Sequence, residues 1–230
     1  MKRVMLKLSG EALAGEKKTG FDEETVRKVA LQVKQLVDDG IQVGIVIGGG
    51  NFWRGRTSEN IDRTKADQIG MLATIMNCIY VSEIFRSVGM NTNILTPFEC
   101  GSFTKLFSKD RANKYFEKGM VVFFAGGTGH PYFSTDTGAV LRAAEIGADV
   151  VLMAKNIDAL YTADPRKDPN AKKLSNVTFD YILENHLAAI DSTAASFAND
   201  NKMTVHMFGL DKSENIRRVI MGESLGTVVK

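Results

Sequence analysis

The chain has 230 residues, 44% hydrophobic and 24% charged, and 29 Lys and Arg nearly cancel 27 Asp and Glu, leaving a formal net charge of +2. That balance suits one sizeable globular core and excludes bulk attraction to nucleic acid, so any phosphate binding has to be local. Cys78 and Cys100 stand in separate segments and the three histidines are scattered, which excludes a disulfide framework or a zinc site; no apolar run approaches the roughly 18 residues of a membrane span and no cleavable leader precedes the first strand, so the expected address is the cytoplasm, with no membrane partner.

The first element is a strand running through Leu6, Lys7 and Leu8 into Ser9-Gly10. Gly10 and Gly15 have the spacing of a P-loop, but Glu16 occupies the place of its lysine and Lys17 comes one residue late, so that motif fails. Read with Lys7 as the working cation, the order is strand, lysine, glycine turn, and the backbone N–H groups of Ser9 and Gly10 can approach phosphate oxygens. Taken alone, K-x-S-G fits a solvated strand lysine better. An amphipathic helix follows over 22–39, with Asp22, Glu23 and Glu24 at its positive end and Gly40 as its stop.

A strand over 41–47 leads into Gly48-Gly49-Gly50-Asn51, where three glycines let backbone amides meet an anion, with Arg54 and Arg56 in reach as guanidinium clamps. A mobile surface turn with solvated arginines is the bland alternative. A long helix is expected over about 65–88, with Ile69, Leu72, Ala73, Met76, Ile79 and Tyr80 as its core stripe. Strands over 93–96 and 121–125 come next, the second entering Gly126-Gly127-Thr128-Gly129-His130-Pro131-Tyr132-Phe133-Ser134-Thr135-Asp136. That run lacks the G-x-G-x-x-G order of a dinucleotide fold but combines backbone donors, rings and hydroxyls. Asp136 fits a helix cap as well as a site, and His130 alone fits a loop histidine.

A helix over 136–146, a strand over 150–154, a loop over 165–173, helices over 178–186 and 189–200, a strand over 204–208 and a helix over 213–221 complete the chain. Lys155 again places a lysine at a strand end, and beyond it Tyr161 could lie against a purine while Asp164 bonds its sugar or base. Strands alternating with helices predict an α/β fold with a mostly parallel sheet covered on both sides. Ligands in such sheets sit beyond the carboxyl ends of the strands, where this chain keeps its glycines, so three turns can converge on one crevice.

The ordered set K-L-S-G-E-A-L, I-G-G-G-N-x-x-R-G, G-T-G-x-P-Y-F-S-T-D and D-A-L-Y-T-A-D-P resembles the bacterial UMP kinases of the amino-acid-kinase superfamily over almost the whole chain. Gly-Met-Leu-Ala at 70–73 and the Arg217-Arg218 segment leading to Gly226-Thr227 are similar to that family as well. Two departures are His130, where the family usually has a small polar residue, and Lys155-Asn156-Ile157-Asp158-Ala159, where many members have a lysine adjoining V-D-G-V.

The resemblance implies a three-layer αβα sandwich of the amino-acid-kinase (carbamate-kinase-like) type. It implies one domain over 1–230, with 1–150 mainly holding UMP and phosphates and 151–230 mainly holding the ATP nucleoside. The implied reaction is transfer of the γ-phosphoryl of MgATP to UMP, giving UDP and ADP, in de novo pyrimidine nucleotide (CTP) biosynthesis. Lys7, Arg54, Asp136 and Lys155 are then the catalytic set; Lys7, Leu8, Ser9, Gly10, Gly50, Arg54, Lys155, Asn156, Tyr161 and Asp164 meet ATP. Gly49, Asp67, Thr128, Gly129, His130, Pro131, Tyr132, Phe133, Ser134 and Thr135 meet UMP, and Gly15, Glu16, Lys17, Lys18, Thr19 and Gly20 match a region linked to GTP activation. Mg2+ is expected on the ATP phosphates with no protein metal ligand, GTP as activator, UTP as inhibitor, and a homohexamer as the assembly. Two rivals stay open: a relative phosphorylating a carboxylate or carbamate, and a nucleotide sensor without catalysis. The G-T-G-x-P-Y-F-S-T-D run and Asp67 oppose the first, and the retention of Lys7, Arg54 and Asp136 together opposes the second.

Overall fold

β-Branched and apolar runs too short for helices pair into one sheet, and the amphipathic segments between them cover its two faces. The structure, a computed structural model, describes residues 2–17, 19–53, 60–165, 167–187, 189–210, 212 and 214–230. In chain order the elements are β1 (Arg3–Leu8), α1 (Gly10–Leu13), a 3-10 turn (Gly15–Lys17), α2 (Glu23–Asp38), β2 (Gln42–Ile47), α3 (Arg63–Ser87), β3 (Thr92–Thr96), β4 (Lys105–Leu106), α4 (Lys109–Glu117) and β5 (Val121–Phe124). They continue with α5 (Thr135–Ile146), β6 (Val150–Lys155), β7 (Leu160–Tyr161), β8 (Lys173–Leu174), β9 (Asn176–Val177), α6 (Phe179–Glu184), α7 (Ser192–Asp200), β10 (Val205–Gly209), α8 (Asn215–Ile220) and β11 (Thr227–Val229).

Among the described residues the main sheet has nine strands in the order β4-β3-β5-β2-β1-β6-β10-β11-β9. Pairing is parallel from β4 through β10, and β11 joins β10 antiparallel. The expected three-layer α/β architecture is therefore present.

Pleat alternation divides the core into two layers. Val4, Leu6 and Leu8 of β1 and Leu152 and Ala154 of β6 pack with α2, α3 and α8 on one face. Met5 of β1 and Val151 and Met153 of β6 pack with α4, α5, α6 and α7 on the other. In that alternation Lys7 and Lys155 fall on the α5 side. The caps that begin the helices are ordinary: Asp22 accepts from Thr25 N at 2.8 Å ahead of α2, and Ser134 from Thr137 N at 3.1 Å ahead of α5.

One expected stripe is right only in part: Ala73 is buried and Tyr80 packs against the core. On α3 the large apolar residues Leu72 (52% exposed), Met76 (48%) and Ile79 (41%) look outward, whereas Ala73, Thr74, Asn77, Cys78, Val81 and Phe85 are buried. The cause is proximity: α3 packs against glycine turns as well as α2, and only small or hydrogen-bonding side chains fit there. By length and composition α3 could cross a membrane, but it packs on α2 and β3 as a layer of the sandwich.

Candidate active site

Register brings the two lysines together. Lys7 of β1 pairs with Met153 of β6, so Lys155 lies two residues further along the neighbouring strand on the same face. Across that face α5 begins, and its second residue, Asp136, sits between them: Lys7 Nζ lies 2.8 Å from Oδ1 and Lys155 Nζ 2.8 Å from Oδ2. The Lys155 contact is a directed hydrogen bond, and Lys7 meets Oδ1 as an ion pair. Burial alone would push the Asp136 carboxyl up, but Lys7 and then Lys155 overrule it and hold it well below the usual carboxylate range. Burial first, and the neighbouring Lys7 charge second, lower the Lys155 ammonium. Two cations and one anion leave a net positive site at the strand ends, suited to a polyanion.

Two glycine turns touch beside this cluster. Gly48 N–H donates to Leu8 O at 3.0 Å. A side chain on Gly10 would collide with Gly48 O and Asn51 Oδ1, so glycine is what permits the approach. Leu8 is buried and offers only its backbone, while Ser9 caps the short α1 from an extended conformation. Gly15, Glu16 and Lys17 form the 3-10 turn, and Gly20 N–H reaches Asn51 O at 3.3 Å, which ties this segment to the second turn. Thr19 is exposed; Lys18, Arg54 and Arg56 lie outside the described residues.

A cleft of about 770 Å3 opens at the strand ends, with Gly49, Gly50 and Asp136 among the residues that line it. Its walls include Asp67, Thr128, His130, Tyr132, Phe133, Ser134 and Thr135, all expected from the sequence; Gly129 and Pro131 belong to the same loop without lining the cavity. The Asp67 carboxylate is fixed through Oδ2, which accepts from Arg63 Nε and from Tyr132 N, each at 2.8 Å. The turn before the loop is anchored where Gly126 N–H donates to Thr74 Oγ1 at 2.8 Å.

The sequence reading missed the opposite wall, formed by Ile182, Leu183, His186, Leu187 and Ile190, and Asp191, which accepts from Ser134 Oγ and Thr137 Oγ1 and caps α7. Nothing in that apolar run distinguishes a cleft wall from core. It also missed Asn77, although a signal existed. Asp67, Gly70, Thr74 and Asn77 recur at helical spacing, a small and polar stripe on an otherwise apolar helix.

Beyond Lys155 the chain forms a loop clipped by β7 and β8, whose register pairs Tyr161 with Lys173. Asn156 and Asp164 are exposed, and Tyr161 is half-buried. Tyr161 Oη donates to Asp158 Oδ1 at 2.9 Å and Lys173 Nζ to Asp158 Oδ2 at 2.8 Å, fixing the ring within the loop that follows Lys155. The hydrogen bond from Lys173 is the main cause of the lowered Asp158 carboxyl, and the bond to Asp158 raises the Tyr161 phenol.

A parallel αβα sandwich with a lysine–aspartate–lysine cluster and glycine turns gathered at its strand ends is the architecture of a phosphate-handling α/β protein. The profile of the amino acid kinase family matches residues 2–209, and the chain belongs to that family. Among solved structures it is similar to the UMP kinase from Bacillus anthracis, with 33% identity and a TM-score of 0.95 over 100% of this chain and 96% of that one. The UMP kinase from Ureaplasma parvum gives 33% identity and a TM-score of 0.93, covering 100% of this chain and 98% of that one. The uridylate kinase from Archaeoglobus fulgidus gives 27% identity and a TM-score of 0.75, with both chains covered completely.

Proposed function

We propose that the chain is a UMP kinase, moving the γ-phosphoryl of ATP onto a phosphate oxygen of UMP to give UDP and ADP in de novo pyrimidine nucleotide synthesis. The bond from the γ-phosphorus to its bridging oxygen breaks as the bond to UMP forms, and the electron pair leaves with ADP. The observation that carries the reading is Asp136 pinned between Lys7 and Lys155 in the wall of a cleft that Asp67 and most of the 128–135 loop also line, in a fold shared over its full length with UMP kinases.

The acceptor is already an anion, so the task is alignment and charge neutralisation rather than strong base catalysis. Lys7 and Lys155 supply positive charge to the transferring group, and Asp136 holds both ammonium groups in place. Ser9, Gly10 and Gly50, with Arg54, offer donors to the ATP phosphates, and Leu8 its backbone. Asn156, Tyr161 and Asp164 hold the ATP nucleoside. Gly49 meets the UMP phosphate, Asp67 its ribose, and residues 128–135 the rest of the nucleotide. Residues 1–150 thus hold mainly UMP and phosphates, and 151–230 mainly the ATP nucleoside.

Asp136 is committed to two ammonium groups and, among the described residues, no three His, Cys, Asp or Glu side chains cluster. That donor set fits Mg2+ carried on ATP phosphates, where it would neutralise their charge. A cytoplasmic homohexamer activated by GTP through residues 15–20 and inhibited by UTP goes with the family reading. The outward Leu72, Met76 and Ile79 of α3 supply apolar area for a subunit contact.

The test is a steady-state assay at saturating MgATP with UMP, CMP and small carboxylic acids as acceptors. UDP formation with strong preference for UMP is expected; turnover of a carboxylate without UMP would hand the chain to the first rival. Asp67→Asn is expected to raise KM for UMP at least about tenfold with little change in KM for ATP, the loss of a charged hydrogen-bonding partner being worth roughly 1.5–3 kcal/mol. The lowered Lys155 ammonium has a signature of its own. The alkaline limb of kcat/KM should fall at a pH below the roughly 10.4 of a free lysine. Lys155→Arg, charged throughout that range, should move the limb to higher pH whatever its absolute rate.

A further inference from the structure

A pair of buried amides with no part in the proposed phosphoryl transfer lies at the root of the glycine turns. Asn77 on α3 is 0% exposed and Asn51 is 3% exposed. Their side chains face each other reciprocally: Asn51 Nδ2 donates to Asn77 Oδ1 at 3.0 Å, and Asn77 Nδ2 to Asn51 Oδ1 at 2.8 Å. The remaining N–H of each amide goes to backbone, Asn77 to Gly48 O at 2.7 Å and Asn51 to Gly20 O at 2.8 Å. Each side-chain amide has two N–H donors, so all four are used, and turning either amide over would set oxygen against oxygen in a buried place. Two polar side chains rarely occupy such a position without a task, since the same space filled by apolar groups would bring no desolvation cost.

We propose that Asn77, acting through Asn51, is a positioning residue that sets the spacing between the turn after β1 and the turn after β2. This rests on the kinase reading, in which the first turn carries ATP phosphates and the second meets both nucleotides. A side chain on Gly10 would meet the Gly48 carbonyl and the Asn51 amide, so the two turns are in close contact where the amide pair joins them. Each turn alone can still bind its anion through backbone N–H groups. What the amide pair adds is their mutual alignment, which in-line transfer demands to within a fraction of an ångström.

The single tryptophan, Trp53, lines the cleft and donates to Ala66 O at 2.8 Å, giving a built-in probe that counts UMP sites. Asn77→Ala and Asn51→Ser are each titrated with UMP by fluorescence and assayed for UDP formation, with kcat expressed per binding-competent site. The expected result is full stoichiometry, a UMP Kd within about threefold of wild type, and kcat per site reduced at least about tenfold. The double variant should be no worse than the more severe single one, because the two side chains act as a unit. Amide exchange measured by mass spectrometry on the same variants should rise together at residues 9–20 and 48–51. A kcat per site within threefold of wild type overturns the proposal, as does a loss of UMP stoichiometry in both variants that accounts for all the lost activity. Unchanged exchange overturns it without reference to activity, whereas wild-type protein that binds UMP and forms no UDP overturns the kinase reading alone.

Discussion

Replacing Lys7 with methionine is expected to lower kcat at least about a hundredfold, roughly 2.7 kcal/mol of transition-state stabilisation, while the protein stays folded. Methionine keeps most of the buried stem length of lysine and removes only the ammonium. Asp136 retains Lys155 at 2.8 Å, so the variant exchanges a net positive cluster for a neutral pair rather than stranding a charge. What disappears is a cation at the end of a central strand, where charge accumulates on the transferring phosphoryl group. KM for UMP should change little, because the residues proposed to hold UMP are Gly49, Asp67 of α3 and the 128–135 loop, not Lys7. Turnover equal to wild type would refute the role given to Lys7 and, with it, the site as drawn.

Neutralising the anion has a different and larger consequence. Asp136→Asn leaves two mostly buried ammonium groups facing each other across an amide, with side-chain exposures of 11% for Lys7 and 19% for Lys155. Breaking a buried pair in this way costs about 3–5 kcal/mol, on the order of 10 °C in Tm for a chain of this length. A thousandfold loss of kcat is expected, about 4 kcal/mol, because the lysines lose their placement as well as their counterion. A polyanion should repair part of the stability defect, so ATP is expected to raise the Tm of the variant more than that of wild type.

The pH dependence follows from the depressed Asp136 carboxyl. Its contribution to stability is fully present above the unfolded value of about 3.9 and is lost as pH falls through the lower folded value. The gap in Tm between wild type and Asp136→Asn should therefore be constant near neutrality and narrow below about pH 4. A gap that persists unchanged in strong acid would show that Asp136 is not held by the lysines.

Much of this cluster was legible because strand geometry is simple. Lys7 and Lys155 each end an apolar run of strand length, and period-two alternation puts both on the face opposite Leu6 and Ala154. The glycine turns were legible for the same reason, following directly on those runs. Helix α3 was legible as an element, lying at Arg63–Ser87 where a helix over about 65–88 was expected, but its buried face was legible only in part, because burial is decided by what it packs against. The large residues Leu72, Met76 and Ile79 dominate the apolar periodicity, yet the space beside the glycine turns admits only Ala73, Thr74 and Asn77. Helix α4 escaped because its sequence is mostly polar with only Ala112 and Phe116 buried, and β4, β7, β8 and β9 because two-residue strands carry no period. The apolar wall formed by the end of α6 and the segment after it, and the Asn51–Asn77 pair, depend on contacts between distant segments, which local pattern does not encode.

The placement of β1 carries a consequence for synthesis on the ribosome. This first strand lies in the middle of the sheet, bonded on one side to β2 at residues 42–47 and on the other to β6 at residues 150–155. About 100 residues separate those two neighbours, so for roughly 5–20 s of translation the emerging polypeptide bears an apolar strand with one edge unpaired. During that interval the open edge can pair with another chain, and slow codons placed between β2 and β6 would lengthen its exposure to aggregation.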